Sequence, residues 1–235
     1  MTFSGKTAIV TGGTGALGSV CAEHLSNVGL NIAIPYHSEK SLADIPKSVP
    51  KDRLLTLKTD LTVENQVDTF ITQVVKKFGS VDYLVNTAGG YAGGKTIDEV
   101  SLEEWDGIMK LNSLSAFLVC RGALRVMRKQ NFGRIINIAS MAALEPGAKK
   151  GPYTVSKRAV VTLTETIAEE TKGTGVTANA IAPSIIVTDP NKKSMPKADF
   201  SKWVTPHEIA QLILYLCSDE AKSVSGNVIR IYGGV

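Results

Sequence analysis

Cysteine and histidine are scarce in this chain, and the few present are dispersed. Cys21, Cys120 and Cys217 sit far apart among apolar residues, with no CxxC pair. That spacing excludes a disulfide framework and a thiolate metal site, and the three read as small buried hydrophobes in a reducing compartment. His24, His37 and His207 are too scattered for a metal centre. His24 is expected to pack on its helix, and His207 to stand at a helix start. Long apolar runs are also missing, so no membrane span is expected. The first residues lack the layout of a secretory leader, and the expectation is a cytoplasmic protein. Charge of one sign is not concentrated either. The net +4 is spread over short pairs such as Lys76-Lys77, Lys149-Lys150 and Lys192-Lys193. Such a field suits an anionic ligand and is too weak to imply nucleic acid.

What is there fits a folded globular chain. Of 235 residues, 43% are hydrophobic and 20% charged, a balance that sets disorder aside. The length suits one domain spanning 1–235, with a core large enough to need no covalent or metal staple. Residues 6–11 form an apolar run that stops at a glycine cluster. Residues 16–28 follow with helical spacing, placing Leu17, Val20, Cys21, His24, Leu25 and Val28 on one face. Further strands are expected at 31–36, 53–58, 81–86, 134–139, 175–181 and 227–232. Helices are expected at 63–78, at 102–130 with room for a break, at 152–172 and at 206–218. A short helix or turn fits 38–45. The stretch 189–201 holds two prolines and many polar residues, and is expected to be a mobile loop that covers the site poorly. Apolar strands alternating with helices imply an α/β fold: a single-domain, Rossmann-like, doubly wound parallel sheet with helices on both faces. Ligands of such sheets bind beyond the carboxyl ends of the strands.

Val10-Thr11-Gly12-Gly13-Thr14-Gly15-Ala16-Leu17-Gly18 joins the first strand to the first helix. Glycine lets a backbone turn tightly and approach a pyrophosphate with no Cβ in the way. The helix start adds free N–H groups and partial positive charge. Gly12, Thr14, Gly15, Ala16, Leu17 and Gly18 are therefore candidate dinucleotide contacts.

Tyr153 and Lys157 stand four apart, on one helical face. A free tyrosine has a pKa of about 10. A neighbouring ammonium favours the phenolate and brings the group towards useful acid–base chemistry. Alone, the pair reads more readily as an exposed Tyr and Lys on an amphipathic helix. Ser140, however, ends the fifth strand at the ligand edge. Asn112 lies inside a helix, where asparagine is a poor choice and needs a reason.

The glycine loop, Asn112, Ser140 and the Tyr153/Lys157 pair, in this order, resemble the short-chain dehydrogenase/reductase family. Its TGxxxGxG pattern is matched at Thr11-Gly12 and Gly18, with Ala16 for the middle glycine and Gly15 just before it. The resemblance implies an NAD(P)-dependent oxidoreductase that moves a hydride between nicotinamide and a small-molecule carbonyl or secondary alcohol, without a metal. It implies that Tyr153 is the proton donor and that Ser140 bonds the carbonyl oxygen. Lys157 would lower the tyrosine pKa and bond the nicotinamide ribose, and Asn112 would hold a water linking Lys157 to solvent. Asp60, followed by Leu61, would meet the adenine amino group, leaving Thr62 to cap the next helix. Asn86-Thr87-Ala88-Gly89 is similar to the family's NNAG, so Asn86, Ala88 and Gly89 would lie against the cofactor. Residues 179–188 are similar to a PGxxxT stretch, with Ser184 for the glycine. Pro183 joins the cofactor site there, and Ile186 and Thr188 would face the carboxamide.

Cofactor choice follows from the second strand's tip. NAD enzymes usually carry an acid there. Here the tip reads Tyr36-His37-Ser38, with Glu39 beyond it and Lys40 able to meet a phosphate. NADP(H) is expected over NAD(H), although no arginine is present. A homodimer or homotetramer is expected from apolar residues in excess of one sheet face: Leu114, Phe117, Leu118, Leu124 and Val126, with Val160, Val161, Leu163 and Ile167. Met141, Ala142, Ala143 and Leu144 suggest an apolar pocket. Three alternatives stay open. One is a 3-oxoacyl thioester reductase, with Arg128-Lys129 at the rim for an acidic carrier. Another is a catalytically idle NADP-sensing binding protein. The third is a sugar-nucleotide epimerase, which would need a longer C-terminal substrate region.

Overall fold

The apolar runs become parallel strands: β1 (Thr7–Thr11), β2 (Asn31–Tyr36), β3 (Leu54–Lys58), β4 (Tyr83–Asn86), β5 (Gly133–Ile138), β6 (Val176–Pro183) and β7 (Val228–Ile231). The structure, a computed structural model, describes residues 3–235. The strands run β3-β2-β1-β4-β5-β6-β7 across one sheet. The chain winds outward from β1 to β3, then returns to β4 and winds the other way. The switch point therefore falls between β1 and β4, and a crevice opens there at the carboxyl ends.

Helices α1 (Ala16–Asn27), α2 (Glu64–Phe78), α3 (Leu102–Met109), α4 (Ser115–Gln130), α5 (Met141–Leu144), α6 (Gly151–Glu170), α7 (Asp189–Ser194) and α8 (Pro206–Cys217) fill the connections. Alternate strand residues feed two cores. Val10, Ile34 and Val85 pack with Cys21 and Leu25 of α1 and Ile209 and Ile213 of α8. Ile9, Leu84 and Ile135 turn the other way, onto Phe70 of α2, Val119 and Met127 of α4 and Ile167 of α6. Both faces of the strands are covered, which is why their sequences read as nearly unbroken apolar runs. Each fully buried large side chain contributes about 1.5–3 kcal/mol. The sheet is thus a rigid platform for its carboxyl edge.

The expected order of elements holds, and the differences have physical causes. The 102–130 helix is two helices joined by a π turn at Lys110–Leu114. The 189–201 stretch is not a plain loop. It contains α7 and a 3-10 turn, Phe200–Lys202. Thr188 caps α7 by accepting from the Asn191 N–H, and Pro190 sits in the first turn, where its missing N–H costs nothing. The segment's ends are tied together: Val187 N donates to Val204 O at 2.8 Å, and Val204 N to Ile185 O at 3.0 Å. Thr62 does not cap α2, whose N-cap is Val63. Instead, the Thr62 N–H and hydroxyl both donate to the Asp60 carboxylate, at 2.8 and 2.7 Å. The short α5 was not foreseen.

All three cysteines are free and buried. Among the described residues no helix is long and apolar enough to cross a membrane, and no three metal-ligating side chains gather.

Candidate active site

The first turn is built at Gly12, whose φ of +65° suits glycine alone at low cost. Its carbonyl accepts the Gly15 N–H at 2.8 Å. Helix α1 then packs so closely that a Cβ at Gly18 would collide with that same carbonyl. Gly15, the N-cap, offers no side-chain bond, and the first turn of α1 holds no acid. The leading N–H groups and the positive helix end are left for an anion. Ala16 is exposed, so its methyl disturbs no packing. Thr14 and Leu17 are half-buried beside it. A dinucleotide pyrophosphate fits this cradle.

The end of β4 is locked onto β1 and β5. Ala88 N donates to Thr11 Oγ1 at 3.2 Å, and Thr87 Oγ1 to Thr11 O at 2.6 Å. Asn86 is buried, and its Nδ2 donates to Asn137 Oδ1 at 3.3 Å. Its side chain is therefore committed to neighbouring strands, which leaves the main chain of Asn86 for the cofactor. Bonding between adjacent strands claims its polar atoms first. Ala88 and Gly89 follow at the open edge, with Gly89 exposed.

Four distant positions converge just beyond. Ser140 is the N-cap of α5, and its Oγ accepts the Ala142 N–H at 3.2 Å. It also stands close enough to the half-buried Tyr153 to favour its phenolate. Lys157, buried one turn along α6, donates from Nζ to Ile138 O at 2.9 Å. Asn112 lies in the π turn, buried rather than facing solvent. Its Oδ1 accepts the Gly90 N–H at 2.8 Å, while Nδ2 donates to Gly90 O at 3.0 Å and to Ser156 Oγ at 2.9 Å. The loop after β4 crosses these groups closely: a Cβ at Gly89 would stand 2.7 Å from Asn112 Oδ1 and 3.1 Å from Lys157 Nζ.

The electrostatics differ from the expectation in one respect. Burial raises the Tyr153 pKa above its usual value; the adjacent Ser140 lowers it, Tyr91 nearby raises it, and the net direction is up. Burial pushes Lys157 down to about 8. Lys157 points at a strand carbonyl, and in this arrangement it does not contribute to the shift of the phenol. Tyr153 stays protonated through the neutral range.

At the other end of the crevice, His37 and Ser38 are exposed after β2. The Tyr36 hydroxyl stands 3.4 Å from each Glu39 carboxylate oxygen. Lys58, paired in register with Tyr36, lies 3.8 Å from Glu39. Asp60 is not free of partners. The Thr62 side-chain and backbone bonds hold its carboxyl below the usual range, and Leu61 packs on the core. Pro183 is buried at the end of β6. The Ile186 carbonyl accepts from Asn191 at 2.8 Å, and the Thr188 hydroxyl caps α7. Arg128 and Lys129 are not at the rim. Helix α4 ends beside the start of β5, at the opposite edge of the sheet, where Arg128 pairs with Glu170 at 3.2 Å.

The family described as short chain dehydrogenase matches residues 6–199. The chain belongs to that family. It is 30% identical to a D-beta-hydroxybutyrate dehydrogenase of Rhizobium meliloti, over 97% of this chain and 98% of that one. It is 31% identical to a 3-oxoacyl-[acyl-carrier-protein] reductase of Haemophilus influenzae, over 99% of each chain. A crystal structure of NAD+-bound xylitol dehydrogenase superposes with a TM-score of 0.91 at 25% identity, covering all of both chains. This short-chain dehydrogenase is accordingly an NAD(P)-dependent oxidoreductase acting on hydroxyl or carbonyl groups.

Two residues of the dehydrogenase's site escaped the sequence reading. Ser156 sits between Tyr153 and Lys157 and receives the Asn112 amide. Tyr91 places its ring 5.0 Å from that of Tyr153. An aromatic set between glycines just past β4, at the ligand edge, was the available signal.

Proposed function

We propose that this dehydrogenase interconverts a small-molecule carbonyl and its secondary alcohol, with Tyr153 giving or taking the proton. The observation that carries this reading is one cluster: Tyr153 beside Ser140 at the start of α5, the buried Lys157 one turn along α6, and the buried Asn112 bonded to Ser156 between them. Bound nicotinamide supplies or receives the hydride. In reduction, the Tyr153 O–H passes its proton to the carbonyl oxygen as negative charge develops there. The Ser140 hydroxyl donates to the same oxygen, so two donors stabilise the charge and no metal is called for. Lys157, with a pKa near neutrality, returns a proton to Tyr153 and bonds the ribose. Asn112 has both side-chain groups engaged, so a relay water would rest on its main chain, which the π turn frees from regular bonding.

Gly12, Thr14, Gly15, Ala16, Leu17 and Gly18 would hold the pyrophosphate, with Asp60 and Leu61 beside the adenine. Ala88, Gly89, Pro183, Ile186 and Thr188 would flank the nicotinamide half. Tyr36, His37 and Ser38 would meet the adenosine ribose. Glu39 is turned onto Lys58, which leaves no free acid for ribose hydroxyls and favours NADP(H).

Assembly is proposed as a homodimer or homotetramer. The apolar surplus is smaller than the sequence suggested, because Leu118, Val160, Val161 and Ile167 are buried in the core. Leu111 in the π turn, Phe117 in the first turn of α4 and Val155 on α6 remain exposed and suit a two-fold contact. Light scattering should give a dimer or larger.

The experiment for the reaction is a panel of ketones, aldehydes and 3-oxoacyl thioesters, read by loss of reduced-cofactor absorbance with NADPH and NADH in parallel. Turnover faster with NADPH is expected. No turnover of any carbonyl compound, in either direction, would contradict the reading.

A further inference from the structure

Tyr91 is 64% exposed, yet it is not a loose side chain. Its ring meets Tyr153 edge to face, with planes at 67° and centroids 5.0 Å apart. The segment carrying it is anchored on both sides. Before it, Asn112 clamps both the N–H and the carbonyl of Gly90. After it, the Gly94 N–H donates to Lys149 O at 2.8 Å, in the stretch leading into α6. Lys149 keeps a φ of +60° there, an uncommon conformation for a non-glycine residue. The Tyr91 hydroxyl lies over Gly93, where any Cβ would collide with it. One flank of the ring is thus packed on the reactive tyrosine, and the rest stays open in front of it. Met141 and Leu144, half-buried directly after Ser140, add apolar surface to the site.

We propose that Tyr91 is a specificity-determining residue: its open face is the aromatic wall of the substrate pocket and favours ketones whose reacting carbon belongs to, or is bonded to, a ring. The inference rests on the carbonyl reading above. A rigid ring meets a tyrosine in offset or edge-on geometry with little rotamer freedom to lose. A straight chain must be immobilised to make the same contact. A wall held by two backbone anchors is already in place before substrate arrives, which is how a binding side chain gains selectivity.

The test uses the full chain, as parent, Tyr91→Ala and Tyr91→Phe. Each is assayed on acetophenone and on a straight-chain methyl ketone of equal carbon count, with kcat and KM resolved. The parent should prefer acetophenone. Tyr91→Ala should raise its KM about tenfold relative to that of the straight-chain ketone, with any change in kcat common to both substrates. Tyr91→Phe should keep the preference, because the ring face and not the hydroxyl makes the contact. Should Tyr91→Ala fail to fold, Tyr91→Leu, which keeps bulk without the aromatic face, decides in the same way. A parent with no preference for the ring, or an equal rise in KM for both ketones, overturns the inference alone. A loss in kcat with flat KM also overturns it, since that marks a proton-transfer role. A parent that turns over neither ketone nor any other carbonyl compound overturns the functional reading and this inference with it.

Discussion

Lys157 carries an ionisable amine in one of the driest parts of the molecule, with Ile138 O as its hydrogen-bond acceptor. Its pKa falls from 10.5 to about 8, a shift of order 3 kcal/mol against the charged form. Removing the amine relieves that cost and leaves the Ile138 carbonyl unpaired, at about 1–3 kcal/mol. Lys157→Met should therefore melt no lower than the parent at neutral pH while losing activity, as when a site strains its fold for function. The pH dependence has a definite sign. The folded pKa lies below the unfolded one, so the unfolded chain binds more protons between about pH 8 and pH 10, and parent stability gains a rising contribution across that window. Lys157→Met lacks it. A variant melting well below the parent, or stability curves of identical slope in that window, would contradict this.

At the scale of elements, α1 and α8 meet through His24 Nε2 and His207 Nδ1, 2.9 Å apart. Burial lowers the His24 pKa from 6.5, His207 lowers it further, and Glu23 partly opposes both. The unfolded state again binds more protons, so this contribution to stability is lost as pH falls through 6.5 towards the folded value. The melting temperature should drop between about pH 7 and pH 5, and His207→Gln should shrink the drop. An equal drop in both proteins would remove the pair from the account. The 189–201 segment makes a second expectation. Lys192 and Lys193 are helical, whereas Lys197 lies in the turn after Pro196. Trypsin should cut first after Lys197, and more slowly with cofactor and substrate present. First cuts at Lys192 or Lys193 would contradict the helix.

Legibility in the sequence followed physical range. Strands buried on both faces announced themselves, as did the glycine turn, because each depends on neighbours in the chain. That Tyr153, Lys157 and Ser140 come together was expected from the family resemblance, since spacing and strand ends alone favoured surface roles. The commitments of Asn86 to Asn137 and of Asn112 to Gly90 were not, since they pair atoms far apart in sequence. The α7 helix is masked in the sequence because Pro190 and Pro196 look like breakers, whereas Thr188 caps the helix and Pro190 falls in its first turn. Tyr91 was missed because its partner ring arrives only through tertiary packing.

At the scale of the whole molecule, the parts serve one edge. Two cores fix the sheet, the switch point between β1 and β4 opens the crevice, and α1 presents its positive end there. Helix α6 brings Tyr153 and Lys157 to the same edge, and α5 begins at Ser140. Burial raises the Tyr153 pKa, which suits the proposed role of proton donor. The most direct test of that arrangement is Tyr153→Phe, assayed for turnover on any carbonyl compound the parent reduces and, separately, for cofactor dissociation constant. Activity should fall about 100-fold or more, as for loss of a general acid, with cofactor binding nearly unchanged. A variant that binds cofactor and turns over as fast as the parent would contradict the account.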